Sequence, residues 1–206
     1  MSISGPSTLA VPEELAAGAT FRLFAEPPTP LLWKVSDADN SVYLMGSFHL
    51  LKAGDYPLSP DAYAALDDAE KVVFELSPAE MNDPALGQKM GQVARRSDGK
   101  TLQAVLPAET WAQLVDYAGK RGIALQNFQG LDTWFMGLVI GITEMQIAGL
   151  DSSLGLDKHF AERAQAAGKQ VGALETADEQ FAMFDGMSQA EQLQQLQDAL
   201  GDVAAM

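Results

Sequence analysis

Short hydrophobic runs separated by turn-forming residues begin at Leu31. The runs Leu31–Ser36 and Ser41–Gly46 contain the β-branched and aromatic residues that are typical of strands. The sequence DADN lies between them, and Asp and Asn favour turns because their side chains bond to nearby backbone groups. We therefore predict a β-hairpin with a short loop.

A helix and two further strands follow from the same kind of pattern. Ser59 and Pro60 favour the start of a helix, as its N-cap and its first residue. Lys71–Leu76 predicts a buried strand because Val, Phe and Leu dominate it, and Gln170–Leu174 predicts another strand after a helical segment. The order strand, strand, helix, strand predicts an α/β fold with crossover connections.

Helical spacing dominates the rest of the chain. The segment Leu131–Ala148 is apolar on nearly all sides and is predicted to be the core helix. Residues 1–30 are rich in proline and are predicted to form a poorly structured lead-in. The last helical segment is predicted to be interrupted around Asp185–Met187. The predicted helices cover residues 77–94 or 82–94, 109–119, 131–148, 156–167 and 177–200.

Composition and charge exclude several classes of protein. The 206 residues include no Cys and two His, which excludes disulfides, a thiol nucleophile, Cys-ligated zinc and a site with three His ligands. The net charge of −15 argues against binding to nucleic acid or to anionic lipid. The longest apolar stretch, Thr133–Thr143, is much shorter than the roughly 20 residues that span a bilayer, so we predict no integral membrane segment.

His49 is the first candidate for chemistry. It ends the sequence Gly46–Ser47–Phe48–His49 directly after a predicted strand, and ligands of α/β folds bind at the carboxyl ends of strands. There it can serve as a metal ligand or as an acid or base. The alternative is a His that bonds to a loop carbonyl, and spacing alone favours this alternative.

Two carboxylates also lie at the ends of predicted strands, Glu75 inside Lys71–Leu76 and Glu175 directly after Gln170–Leu174. Glu75 interrupts an apolar run, where burial of its charge is costly unless the carboxylate is paired or bound to a metal. The alternative is a side chain that already emerges at the edge of the sheet. Glu175 repeats the pattern after the next strand. One His and one Glu at neighbouring strand ends would supply half of a metal site.

The segment Gly155–Phe160 favours a structural role when taken alone. Asp157 lies near a helix N-terminus, where the helix dipole favours a negative charge. His159 is predicted to lie on the surface of that helix rather than on a metal. Further along, Thr176 and Glu179 have the spacing of a capping box.

Taken together, these segments resemble the TraB/GumN family, which includes the TIKI proteins. The resemblance extends from about Leu31 to Leu200. It rests on the order of four pieces: LLWKVSDADNSVYLMGSFHLL, EKVVFELSP, DTWFMGLVIGITEM and GLDKHFAERAQAAGKQVGALETADEQ.

The resemblance implies a central sheet flanked by helices, related to erythromycin-esterase-like and ChaN-like proteins, in a single domain over residues 31–206. It implies a metal-dependent, peptidase-like hydrolase that acts on a peptide or small-molecule ligand. Carried over residue by residue, His49 and Glu75 would bind a divalent metal such as Mn²⁺, Co²⁺ or Zn²⁺. Glu75 and Glu175 would be the catalytic carboxylates.

Two features depart from the family pattern and keep alternatives open. The family's Arg–Asn pair and second G-x-x-H have no match after Met183, so we expect a domain that lacks the family's C-terminal segment. The alternatives to a hydrolase are a non-catalytic binding protein and a truncated, inactive member. The resemblance implies a location outside the cytoplasm, whereas the N-terminus lacks the features of a secretory signal and is compatible with a cytoplasmic protein.

Overall fold

The computed structural model of the protein describes Ser2–Ser4 and residues 31–205. The rest of the predicted lead-in lies outside the described residues. The chain divides into two units: the first comprises Met1–Val73 and Asp151–Gly172, and the second comprises Phe74–Leu150 and Ala173–Met206. The single domain over residues 31–206 stays a prediction.

Strands and helices are mixed along the chain, so the fold is broadly α/β. In chain order the described elements are β1 (Ser2–Ser4), β2 (Leu32–Ser36), β3 (Ser41–Met45), α1 (Pro60–Asp68), β4 (Lys71–Phe74), α2 (Pro78–Met81), α3 (Leu86–Val93), α4 (Leu102–Val105), α5 (Ala108–Arg121), α6 (Thr133–Ile147), α7 (Leu156–Ala166), β5 (Gln170–Ala173), α8 (Ala177–Asp185) and α9 (Gln189–Ala205). Short 3-10 helices cover Ala53–Asp55, Leu125–Phe128 and Ser152–Leu154.

The predicted hairpin is confirmed in the first unit. Strands β2 and β3 pair antiparallel, with Trp33 opposite Leu44. The Asp37 carboxylate accepts the backbone N–H of Asn40 at 2.8 Å, which is the turn chemistry expected of the sequence DADN. Strand β1, which the sequence did not predict, pairs antiparallel with β2 and completes a three-stranded sheet.

The prediction of one central sheet is wrong for the described strands, because they form two small sheets. Strands β4 and β5 make a two-stranded sheet of their own. The prediction that β4 is buried is also wrong. Phe74 is buried, but Val73 is 45% exposed, since successive strand residues point to opposite faces and only one face of this strand is covered.

Helices α1 and α7 supply most of the buried apolar side chains of the first unit. Helix α1 begins at Pro60, as predicted, with Ser59 in the N-cap position, but the Ser59 side chain makes no capping hydrogen bond. Helix α7 ends at Ala166, before Gly168, whose φ of +66° suits glycine at a helix end. Among the described residues of this unit, the buried apolar ones are Leu58, Ala62, Ala65, Leu66, Leu156, Phe160, Ala161 and Ala164.

The core of the second unit forms around α6, as the sequence predicted. Trp134, Met136 and Ile140 of this helix are fully buried, and Leu196 and Leu200 of α9 belong to the same hydrophobic core. The C-terminal end of α6 differs from the prediction. Ile142, Met145 and Ile147 are exposed, because an all-round apolar sequence does not by itself provide neighbours on every side.

The sequence signals for helix ends are largely confirmed. Thr176 and Glu179 form the predicted capping box of α8, and the predicted interruption separates α8 from α9. The helix predicted after Ser77 is divided into α2 and α3. Among the described residues, no helix has both the length and the apolar character needed to cross a membrane.

Candidate functional site

The segment after β3 carries the predicted site residue of the first unit. The Gly46 N–H donates to the carbonyl oxygen of Leu31 at 2.8 Å and closes the open end of the hairpin. Ser47 and His49 follow, and the side chain of His49 is 64% exposed. The exposed imidazole therefore lies at the carboxyl end of a strand, where the sequence placed it.

A buried carboxylate binds both polar side chains of this segment. Asp157, in the first turn of α7, has a side chain only 10% exposed. Its Oδ2 lies 2.7 Å from Nδ1 of His49 and accepts the hydroxyl of Ser47 at 2.7 Å. The sequence predicted that His49 binds a metal or bonds to a loop carbonyl, and neither prediction included a carboxylate partner.

Glycine at position 155 allows the two segments to approach so closely. A Cβ at this position would lie 2.8 Å from the carbonyl carbon of His49, and closer still to its oxygen. The neighbouring Leu156 N–H donates to the carbonyl oxygen of Phe48 at 2.8 Å. The G-x-x-H and G-L-D motifs are therefore two sides of one contact, which neither segment indicates when it is taken alone.

The surroundings of Asp157 favour its charged form. Burial alone would raise the pKa of its carboxyl group, but the hydrogen bonds from His49 and Ser47 outweigh burial and hold this pKa below the ordinary value. The N-terminal end of α7 adds a favourable dipole. Asp157 is therefore a carboxylate at neutral pH.

His159 lies in the same unit but in a different environment, and its predicted surface position is only partly correct. Its ring is partly buried, with its centroid 4.6 Å from that of Tyr56 and 5.9 Å from that of Tyr63. Its Nε2 accepts a hydrogen bond from Nε–H of Arg163, with 3.1 Å between the two nitrogens. Burial, with a further contribution from the Arg163 charge, lowers the pKa of His159 below its ordinary value. These contacts give His159 a structural role.

The two predicted carboxylates of the second unit are neighbours. The backbone N–H of Glu175 donates to the carbonyl oxygen of Glu75 at 3.1 Å, where β4 and β5 have just ended. Gln180 donates its Nε2 to Oε1 of Glu175 at 2.9 Å. Glu75 is exposed, so burial of its charge gives no argument for a metal. The catalytic and metal-binding roles of these residues stay predictions.

The described residues do not assemble a complete set of metal ligands. Within residues 31–205 and Ser2–Ser4, no three His, Cys, Asp or Glu side chains come close enough together to hold a metal ion. The metal roles of His49 and Glu75 therefore stay predictions.

An exposed imidazole bonded to a buried carboxylate defines a candidate acid–base or ligand-binding site. The model of the TraB/PrgY/gumN family matches residues 31–206, and the chain belongs to this family. The curated protein Metalloprotease TIKI2 of Danio rerio is 26% identical over 172 residues, which cover 71% of this chain and 32% of that protein. The chain thus spans about a third of the length of this relative. No solved structure matches the chain significantly.

Proposed function

We propose that this protein is a peptidase-like hydrolase and that His49 is its reacting side chain. The observation that carries the proposal is the exposed imidazole at the end of β3, hydrogen-bonded to a carboxylate. Family membership and the similarity to a relative named as a metalloprotease support hydrolysis of peptides as the reaction class.

The roles of the carboxylates are proposed on the family resemblance. Glu75 would act as metal ligand and catalytic carboxylate, and Glu175 as a second catalytic carboxylate. Their support in the second unit is the backbone hydrogen bond that makes them neighbours at the ends of two strands.

A divalent metal ion bound by His49 and Glu75 is part of the proposal. His49 and Glu75 offer one nitrogen and one carboxylate, which is an incomplete donor set for Mn²⁺, Co²⁺ or Zn²⁺. Metal binding by His49→Ala separates His49 as a ligand from His49 as a proton acceptor, because a ligand is needed for metal uptake whereas a proton acceptor is not. In either role, its replacement should remove the activity.

The test is hydrolysis of a mixture of fluorogenic peptides, with and without each of the three metal ions. We expect wild-type protein to cleave and His49→Ala to lose at least about a hundredfold in rate, the usual contribution of an acid–base group. The matched control is His159→Gln, which changes the other imidazole and should retain the activity. Glu75→Gln is expected to impair metal binding while the protein still folds, so that the affinity for the metal falls more than the stability of the fold does.

Two results would contradict the proposal: equal cleavage by His49→Ala and wild type, or no cleavage of any peptide under any metal condition. Peptide binding without cleavage would favour the alternative of a non-catalytic binding protein. Unchanged metal affinity in folded Glu75→Gln would remove Glu75 from the proposed ligands.

A further inference from the structure

We propose that Asp157 is the positioning residue of His49, holding its ring in the Nδ1–H tautomer so that Nε2 is the nitrogen that reacts. This inference rests on the proposed function in one respect, namely that His49 is the reacting side chain. The family resemblance assigns no function to Asp157, although this residue lies in one of the segments that carry the resemblance, and the sequence alone gives it only a favourable position at a helix end.

The first step of the argument is the direction of the hydrogen bonds. An ionised carboxylate only accepts hydrogen bonds, so both partners of Asp157 Oδ2 must donate. The hydroxyl of Ser47 donates at 2.7 Å, and Nδ1 of His49, also at 2.7 Å, must therefore carry its proton. In the neutral ring the lone pair then belongs to Nε2.

The second step is the rigidity of both partners. The backbone N–H of Leu156 bonds to Phe48, and the Gly155 backbone lies directly against that of His49. Asp157 follows immediately, in the first turn of α7, so its carboxylate is fixed relative to the His49 backbone. Fixed partners keep a ring in one orientation, which is what a positioning carboxylate provides in catalytic and metal sites.

The third step is the unequal exposure of the two side chains. The carboxylate is 10% exposed, whereas the imidazole is 64% exposed. If this contact served only to hold the strand end against α7, exposure of most of the ring to solvent would add nothing to the stability of the fold. A buried residue that orients an accessible one is the arrangement expected when the accessible residue acts on a ligand.

The test is the tautomer of His49, measured by long-range ¹⁵N–¹H NMR on the alkaline side of its titration. The chain has two His, so the His159→Gln background leaves only the ring of His49. We expect the Nδ1–H tautomer to dominate when Asp157 is present. Asp157→Ala should shift the ring to the Nε2–H tautomer that is ordinary for free histidine.

Ser47→Ala is the matched control, because it removes the other hydrogen bond of Asp157 and leaves the one to His49. Its tautomer should stay Nδ1–H. A dominant Nε2–H tautomer with Asp157 present, or an unchanged tautomer in folded Asp157→Ala, would overturn the proposal. If Asp157→Ala does not fold, the spectrum with Asp157 present decides alone, since the proposal requires the Nδ1–H form.

The activity assay separates this inference from the proposed function. Asp157→Ala is expected to lower the His49-dependent rate by about 10- to 100-fold, the usual effect of losing an orienting partner. If no peptide is cleaved but the tautomer depends on Asp157, the proposed function fails and the positioning role stands. If peptides are cleaved and the tautomer is independent of Asp157, the positioning role fails alone.

Discussion

The two histidines of the chain lie in the same unit and have opposite surroundings. His49 is mostly exposed and bonds to a carboxylate, whereas His159 is partly buried between tyrosine rings and accepts from the guanidinium of Arg163. A neighbouring carboxylate favours a protonated Nδ1 and a polar role, but a neighbouring cation and burial favour a neutral ring that packs. Residue type alone therefore does not show which histidine belongs to the functional site. The two are distinguished by their own exposure and by the charge of their neighbours.

The largest expected effect comes from separating His49 from its partner by a steric change. Gly155→Ala would place a Cβ against backbone atoms of His49, which have no flexible end that can move aside. Overpacking of this kind costs about 1–3 kcal/mol, and we expect a value near the upper end of that range together with loss of the Nδ1–H tautomer of His49. Urea unfolding and the NMR measurement above would report the two effects.

The control for this prediction is Gly119→Ala in the second unit. Gly119 lies within α5 and has no heavy atom near the position of an added Cβ, so the exchange should be neutral or stabilising by about 0.5–1 kcal/mol. Equal stabilities of Gly155→Ala and wild type would show that the close approach of the two motifs is not required.

The next effect compares the two imidazoles by deletion. His159→Ala removes a partly buried ring from its contacts with Tyr56, Tyr63 and Phe160, and we expect a loss of about 2 kcal/mol in the free energy of unfolding. His49→Ala removes an exposed ring and one hydrogen bond of Asp157, while Ser47 still donates, so we expect about 1 kcal/mol. Chemical denaturation measures both values, and a larger loss for His49→Ala would reverse the assignment of structural and functional His.

The smallest effect is a pH dependence that belongs to His159. Its pKa in the folded protein is lowered by burial and by Arg163, with Glu162 opposing, so the unfolded chain binds more protons between the folded pKa and about 6.5. The stabilisation is complete above about pH 6.5 and is lost as pH falls through the folded pKa. Wild type should therefore lose more stability than His159→Gln when the pH falls from 7.5 to about 5.5.

Unfolding curves of both proteins at the two pH values measure this difference. The carboxylates are common to the two proteins and cancel in the comparison. A wild type that gains stability relative to His159→Gln on acidification would contradict the structural role of this ring.

Local chemistry accounts for the elements that the sequence predicted correctly. The turn at Asp37 and the capping box at Thr176 need only residues a few positions apart, so short segments specify them. The burial of β4 and of the C-terminal end of α6 was predicted incorrectly, because burial depends on neighbours that are distant in sequence. The division of the strands between two sheets has the same origin, since strand pairing is a long-range choice.

The candidate site divides along the same line. His49, Glu75 and Glu175 could be selected from the sequence because each is a polar residue at the end of a predicted strand. Asp157 and Ser47 could not, because nothing in either segment alone indicates that a helix start and a strand end will share hydrogen bonds. The hydrogen bond between the backbones of Glu75 and Glu175 was not predicted either, because it follows from the pairing of β4 with β5, which short segments do not specify.

The sequence by itself determined the local elements of the chain, its motifs and its membership of a family. Only the tertiary structure decided which of two histidines has a carboxylate partner. His49 and Asp157 are 108 positions apart, and their 2.7 Å contact exists because Gly155 lets two backbones touch. A hydrogen bond needs atoms in place to within a fraction of an ångström, and over such a sequence separation packing, rather than local propensity, sets that position.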